Sequence, residues 1–357
     1  MHFASFQFDA PFQFVQFGTF AQIDVFSQID FTDFWTFVLF PLFPLTCWIL
    51  FLYLLVRKKN PLPASQRRDV VWGAVDVALL MGSMLFAKFA AQLCAGAIIS
   101  NRLNIPLEKI TAEIAFENAN ILVGCSIIFS LAQMAFAIWY LKKTQAASWA
   151  DLGIQWGKLK KHACVGLVAA LMIIPVILML NIIFHSILKT QYSHQVLTMV
   201  KYSLITTAIS TVIVAPIVEE FHFRVFIQGF LQRLYDLDVE KKVRVIQGDV
   251  RAEKYLNEMI VTDRNGAEKS GRKKNRVGDA NDSDTAKAKK LPWWPIIVSS
   301  LLFASVHFGQ GAAPYALFVL AMFLGFLYRQ THSVIPCIIV HFMLNLWSFV
   351  ALVYSID

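Results

Sequence analysis

Two adjacent carboxylates and an arginine interrupt an otherwise apolar stretch of the chain. The segment APIVEEFHFRVFIQGF contains Glu219, Glu220 and Arg224. Charged side chains at the centre of a bilayer cost roughly 2.5–3.5 kcal/mol each on the insertion scale, so a purely structural helix would favour leucine here. Glu220 precedes Arg224 by four residues, which is the favoured order for an ion pair on one helix face. This pairing leaves Glu219 as the surplus carboxylate and as the candidate for chemistry.

Two further apolar stretches each carry a pair of residues at a spacing of four. Phe303 and His307 lie in SSLLFASVHFG, and His341 and Asn345 lie in IPCIIVHFMLN. Residues four apart share a helix face, so each pair is predicted to present both side chains to one cavity. At 1.5 Å of rise per residue, His307 is expected roughly 17 Å from the membrane edge, as is Glu219, and His341 roughly 14 Å from it. The similar depths indicate one shared site.

Peptide hydrolysis is the chemistry that these residue types suit best. It requires an activated water, a stabiliser for the oxyanion and a proton for the leaving amine. Glu219 is expected to act as the general base, and His307 to hold the same water and shuttle the proton. His341 and Asn345 are expected to donate hydrogen bonds to the oxyanion. The sequence contains neither G-x-S-x-G nor a reactive Cys-His motif, so no serine or cysteine nucleophile is expected.

A metal site is the competing interpretation of the same residues. Glu219, His307 and His341 form a carboxylate and two-histidine set, which is one way to hold catalytic zinc. The chain has no HExxH motif, so three separate helices would have to bring the ligands together. We therefore favour a mechanism without a metal or other cofactor, with zinc as the alternative.

The composition indicates that membrane helices carry these residues. Of the 357 residues, 57% are hydrophobic and only 16% are charged, whereas soluble domains have about 25% charged residues. The five cysteines stand in apolar runs without C-x-x-C spacing, which is typical of packing residues. The chain is therefore predicted to be an all-α, polytopic membrane helix bundle.

About eight transmembrane helices are predicted from apolar runs of about 20 residues, each long enough to cross a bilayer. The predicted spans are 34–56, 70–99, 118–141, 163–187, 203–230, 293–308, 314–330 and 333–353. Seven spans remain an alternative, because the sixth is short and Asp76 and Lys88 interrupt the second.

The basic residues cluster after every second predicted span. Of the net charge of +8, +6 comes from residues 241–290, which hold 14 Lys or Arg and eight Asp or Glu. By the positive-inside rule, the basic loop 231–292 is expected in the cytoplasm and both termini outside. The protein is thus predicted to be integral to a membrane, most simply the plasma (inner) membrane.

Three regions are predicted along the chain. Residues 1–33 are rich in Phe and lack Lys and Arg, which favours an interfacial segment on the outer side. Residues 34–200 supply the N-terminal transmembrane helices, and residues 201–353 supply the motif-bearing helices, interrupted by the loop 231–292. No aromatic residue interleaves with the basic tract 264–290, so the expected partners are the lipid bilayer and a membrane substrate, with no nucleic acid.

The three motifs, in this order on successive membrane helices, resemble those of the CPBP (ABI) family of intramembrane proteases, which includes the type II CAAX prenyl proteases. The matching pieces are EEFHFR at 219–224, FASVH at 303–307 and HFMLN at 341–345. The resemblance covers roughly residues 203–349. Val225 and His332 depart from it, since many members have Gly at these positions.

The resemblance implies an intramembrane endopeptidase that acts on membrane-embedded or lipidated proteins or peptides, which in one branch of the family are prenylated CAAX proteins. It implies the same catalytic residues as the chemistry does, namely Glu219, His307, His341 and Asn345. The residues expected to support the site are Glu220, Arg224 and Phe303.

Two classes without proteolysis remain as alternatives. Buried acids and histidines also mark proton relays in transporters, and Asp76 and Lys88 could belong to one. Against a transporter, the sequence shows no inverted repeat of broken helices. A silent immunity scaffold would have no need for the complete set of motif residues.

Overall fold

The computed structural model of the chain describes residues 70–188, 195–236 and 292–354, with most of 45–57 and residue 62. A short apolar helix, Leu45–Leu54, comes first. It is followed by α1 (Ala74–Leu103), α2 (Ala112–Glu117), α3 (Ala119–Thr144), α4 (Leu159–Leu188), α5 (Gln195–Tyr202), α6 (Leu204–Tyr235), α7 (Trp294–Ser305), α8 (Ala313–Thr331) and α9 (Ile335–Tyr354). The Phe-rich segment 1–33 and nearly all of the basic loop 231–292 lie outside the described residues.

The prediction of an all-α membrane helix bundle is confirmed. In the described part of the chain, six helices are long and apolar enough to cross a membrane: α1, α3, α4 with its preceding turn, α6, α8 and α9. The first and sixth predicted spans correspond to the shorter apolar helices Leu45–Leu54 and α7. At 1.5 Å per residue, the 12 residues of α7 cover about 18 Å, which is less than the hydrocarbon thickness of about 30 Å.

Helix α7 ends early because the chain turns inside the bundle. The backbone after Ser305 contains Gly309 and Gly311 with φ values of 92° and 58°, a region that favours glycine. Pro314 then stands in the first turn of α8, where its missing N–H costs nothing. Because α8 packs along α7, the two helices form a hairpin whose turn carries His307.

Several connections between helices meet at one end of the bundle. Arg233 near the end of α6 donates a hydrogen bond to the carbonyl of Trp72 before α1, at 2.7 Å. Gln155 before α4 donates to the carbonyl of His332 after α8, at 3.0 Å. Trp293, which precedes α7, lies under the guanidinium of Arg329 at 4.2 Å. The ends of α6 and α8 and the starts of α1, α4 and α7 therefore share this end of the bundle.

The non-glycine residue at the end of α8 adopts a backbone conformation that glycine would adopt without strain. His332 caps α8 with a φ of 46°, and its N–H bonds to the carbonyl of Tyr328. A left-handed residue with a Cβ costs roughly 1–2 kcal/mol. The conformation accounts physically for the glycine expected here from the family resemblance.

The motif-bearing helices occupy the centre of the bundle. Half of the α6 membrane window and 61% of the α8 window are buried, against 22–28% for α1, α3 and α4. Close helix approach depends on small residues in places. A Cβ on Gly166 of α4 would stand 3.1 Å from the backbone of Pro336 in α9. Helices α6 and α8 thus lie deeper in the bundle than α1, α3 and α4.

Candidate active site

The helix that carries the paired carboxylates is not a regular α-helix. Two π-helical segments, Ile209–Val214 and Phe221–Gln228, lie within α6, and the α-helical stretch Ala215–Glu220 lies between them. Such wide turns are rare and occur frequently at functional sites. The two carboxylates close the α-helical stretch, immediately before the second π segment.

Side chains from three other parts of the chain bind the backbone of these π segments. The hydrogen bonds run from Asn345 Nδ2 to the carbonyl of Thr211 (2.8 Å), from Ser299 Oγ to that of Phe223 (2.9 Å) and from Trp72 Nε1 to that of Phe226 (3.3 Å). A change from i−4 to i−5 pairing displaces carbonyls from their usual donors, and a buried carbonyl needs a partner. Helices α7 and α9 and the start of α1 thereby fix the register of α6.

Glu220 is held between two cationic or potentially cationic side chains. Its Oε2 accepts from Arg224 Nε at 2.8 Å, and its Oε1 accepts from His341 Nδ1 at 2.9 Å. All three side chains are 0% exposed. The ion pair expected from the spacing of four is present, and His341 joins it from α9. Both oxygens of Glu220 are engaged, so this carboxylate is a structural element of the site.

Phe303 packs at the junction of the three motifs. Its ring centroid lies 5.0 Å from that of His307, 5.9 Å from that of His341 and 5.3 Å from the guanidinium of Arg224. The ring is fully buried. Its position supports the expectation that Phe303 orients the polar residues around it.

His307 lies beyond the end of α7, which corrects the expectation that it shares a helix face with Phe303. The helix ends at Ser305 with Val306 as its cap, and the N–H of His307 bonds to the carbonyl three residues earlier. Its Nδ1 donates to the carbonyl of Phe303 at 2.8 Å. Since a carbonyl can only accept, Nδ1 carries the hydrogen, and the neutral ring offers Nε2 as an acceptor.

Glu219 and His307 line one cavity. It has a volume of about 60 Å³, which is enough for a water molecule. Glu219 Oε2 lies 3.9 Å from His341 Nε2, too far for a hydrogen bond, and among the described residues neither atom has a hydrogen-bond partner. His341 and Asn345 are buried and do not line the cavity. The structure thus places Glu219 and His307 at the cavity, with His341 beside Glu219.

The cavity has further polar lining that the sequence analysis did not assign to the site. Lys88 of α1, Ser126 and Ser130 of α3, and Ser210 of α6 contribute to its wall. Lys88 is a cation midway along an apolar helix. The cost of a charge at such a position, which indicated a chemical role for Glu219, could have indicated a place at the site for Lys88 as well. The serines carry no such signal.

Asp76 and Lys88, the two residues suggested for a transporter relay, stand in different parts of α1. Asp76 accepts hydrogen bonds from the N–H of Gly73 at 2.9 Å and from Tyr140 Oη at 2.8 Å, at the start of α1. Twelve residues of helix separate it from Lys88, roughly 18 Å. Asp76 is therefore a helix-capping and helix-packing residue.

A zinc site is not assembled in this arrangement. Among the described residues, no three His, Cys, Asp or Glu side chains are placed to hold a metal ion. His341 uses Nδ1 on Glu220, and His307 uses Nδ1 on a backbone carbonyl. The donor set of Glu219, His307 and His341 does not converge on one point in the described part of the chain.

Comparison with known proteins supports the family resemblance. Residues 282–347 match the model of the family described as type II CAAX prenyl endopeptidase Rce1-like. The matched region contains the whole of the second motif, at 303–307, and the whole of the third, at 341–345. No curated protein and no solved structure matches the chain. The match confirms the resemblance to CPBP-type CAAX proteases and supports, in general terms, a CAAX-type intramembrane endopeptidase. The chain is a helical membrane protein whose residues 282–347 form a region similar to type II CAAX prenyl endopeptidases.

Proposed function

We propose that the protein is an intramembrane endopeptidase in which Glu219 activates a water molecule for attack on a peptide bond. The observation that carries the proposal is the difference in environment between the two adjacent carboxylates. Both oxygens of Glu220 are engaged by Arg224 and His341, while Glu219 lines a water-sized cavity together with His307. A carboxylate without a fixed partner, beside an imidazole acceptor, is the arrangement that general-base catalysis requires.

The first chemical step uses the two groups at the cavity wall. Glu219 removes a proton from the cavity water, and the resulting hydroxide forms a bond to the carbonyl carbon of the scissile peptide while the C=O π bond opens to an oxyanion. His307, whose free Nε2 is an acceptor, holds the same water in line. The proton then passes to the amide nitrogen as the C–N bond breaks, which releases the leaving amine.

We assign the stabilisation of the oxyanion to the hydrogen-bond donors of His341 and Asn345 that are not already in use. Asn345 uses one amide hydrogen on the carbonyl of Thr211, so a second one remains. His341 Nε2 donates only when the ring is doubly protonated, because the Nδ1 hydrogen is bound to Glu220. Neither residue lines the cavity, so the substrate carbonyl must extend beyond it to meet these donors.

The substrates we propose are membrane-embedded or lipidated proteins and peptides, including the prenylated CAAX type. The matching family is described as type II CAAX prenyl endopeptidase. The site also lies within helices that are apolar enough to cross a bilayer. A prenyl chain would reach such a site without leaving the apolar phase.

The orientation that we propose places the common end of α1, α4, α6, α7 and α8 in the cytoplasm. Lys142 and Lys143 at the end of α3, Lys160 and Lys161 at the start of α4, and Arg329 near the end of α8 stand at this end, which agrees with the positive-inside rule. Because α9 then ends on the outer side, the C-terminus is assigned there.

The proposal is tested with purified protein in lipid nanodiscs and a prenylated, fluorescence-quenched CAAX peptide. Glu219→Gln preserves the shape of the side chain but removes its basicity, so the cleavage rate should fall by roughly 10²–10⁴-fold. The matched control is Glu113→Gln on α2, an exposed carboxylate away from the cavity. Equal cleavage by wild type and Glu219→Gln would exclude the proposed mechanism, and it would favour a scaffold or another active group.

A further inference from the structure

Lys88 is a charged side chain on a membrane helix, and the proposed mechanism gives it no role. It stands midway along α1, within the window that is apolar enough to cross a bilayer. A lysine at such a depth costs roughly 2.5–3.5 kcal/mol on the insertion scale, and such residues generally serve a ligand or an ion pair. Its side chain reaches the cavity that Glu219 and His307 line.

Lys88 is not the direct ion-pair partner of the site carboxylates. Glu220 pairs with Arg224, and the side chain nearest to Glu219 among the possible ion-pair partners is His341, at 3.9 Å. In the part of the chain that the structure describes, no carboxylate lies within 4.0 Å of the Lys88 ammonium. Since Lys88 and Glu219 line one cavity without touching, the space between them is open to a ligand.

The polar groups around Lys88 are suited to bind an anion. Ser126 and Ser130 of α3 and Ser210 of α6 line the same cavity. None of these three hydroxyls has a hydrogen-bond partner within the described ranges. An ammonium and free hydroxyl donors together match the acceptors of a carboxylate, and hydrogen bonds to a charged group are about twice as strong as neutral ones.

We propose that Lys88, assisted by Ser126 and Ser130, binds a carboxylate of the peptide substrate and so places the scissile bond at Glu219. This inference rests on the proposed endopeptidase function and deepens it. The carboxylate comes either from the C-terminus of the peptide or from an acidic side chain. Because the cationic and the catalytic groups share one small cavity, the carboxylate lies only a few residues beyond the cleaved bond.

The test compares three forms of one peptide with an S-prenylated cysteine three residues from its end. The first ends in a free acid, the second ends in an amide, and the third ends in an amide but has Glu as its last residue. Each is assayed in nanodiscs with wild-type protein, with Lys88→Met and with Lys88→Arg. Arg102→Met, which removes an exposed cation from the end of the same helix, is the matched control.

We expect the wild type to favour a peptide with a carboxylate over the plain amide by roughly 10- to 100-fold in kcat/KM, the value of one hydrogen-bonded charge. Lys88→Met should abolish this preference by lowering kcat/KM far more for the peptide with a carboxylate than for the amide, while Lys88→Arg should retain part of the preference. A preference for the free acid alone identifies the C-terminal carboxylate as the ligand. An equal preference for the Glu-bearing amide identifies an acidic side chain.

Two results would overturn the carboxylate subsite. One is a wild type that cleaves acid and amide equally well. The other is a Lys88→Met variant that loses the same factor on both peptides, which would mean that the lysine acts on Glu219 itself.

A binding measurement separates this inference from the proposed function. Fluorescence polarisation of the labelled acid and amide peptides reports affinity whether or not cleavage occurs. Tighter binding of the acid that depends on Lys88, without cleavage, would support the subsite and refute the endopeptidase. Equal binding of the acid and amide peptides to wild-type protein would refute the subsite, even if cleavage by Glu219 is observed.

Discussion

The buried ion pair behind the catalytic carboxylate allows a quantitative prediction. Replacing Arg224 with Met removes the 2.8 Å charge-assisted hydrogen bond to Glu220, which contributes about 1.5–3 kcal/mol. It also removes the contact of the guanidinium with Phe303 at 5.3 Å, about 1–2 kcal/mol for a desolvated pair. The 3.5 Å hydrogen bond to Ser299 is at the distance limit and adds little. We expect Arg224→Met to lower the free energy of unfolding by about 3–5 kcal/mol, as for other buried pairs that lose one partner.

The assay is reversible unfolding in mixed micelles, combined in a double-mutant cycle with Glu220→Gln. The double variant should be more stable than Arg224→Met alone, because it contains no unpaired carboxylate beside His341. Added salt should change none of these values, since both partners are 0% exposed. A loss below about 0.5 kcal/mol for Arg224→Met would refute the argument, because that is the usual effect of a surface substitution.

Three further outcomes are expected. Gly166→Ala should destabilise the protein by about 1–3 kcal/mol, because the new Cβ meets the backbone of Pro336, whereas Gly124→Ala, with open space around it, should be neutral in the same unfolding assay. If Asn345 stabilises the oxyanion, Asn345→Ala should lower kcat by about 10²-fold or more with little change in KM. A loss of activity that is explained entirely by unfolded protein would instead leave Asn345 only the structural role of its hydrogen bond to Thr211. Dialysis against a strong chelator should leave peptide cleavage unchanged, and a loss restored by zinc would reinstate the metal mechanism.

Helical periodicity and the cost of charge in a membrane were sufficient to predict part of the site. The spacing of Glu220 and Arg224 predicted their ion pair, and the remaining carboxylate, Glu219, lines the cavity as a candidate base must. These are local properties of one helix, so a single sequence can reveal them. The catalytic roles of Glu219, His307, His341 and Asn345 remain predictions.

The contacts between helices could not be predicted in the same way. Lys88 is about 130 residues from Glu219 in the chain, and only the packing of α1 against α6 brings both to one cavity. The sixth span was recognised as short from the sequence, but the end of α7 before His307 was not predicted, because the sequence stays largely apolar through Phe308. Only the backbone of Gly309 and Gly311 shows the turn.

The two π segments make the length of α6 a structural variable of its own. A π-helical turn takes up one residue more than an α-helical turn. Deleting one residue between 221 and 228 would therefore let that segment return to α-helical pairing, while Glu219 and Arg233 on either side kept their directions. The deletion would instead return the carbonyls of this segment to helical partners, including those of Phe223 and Phe226, which Ser299 and Trp72 now bind. The extra residue in the second π segment thus supplies the acceptors through which α7 and the start of α1 hold α6.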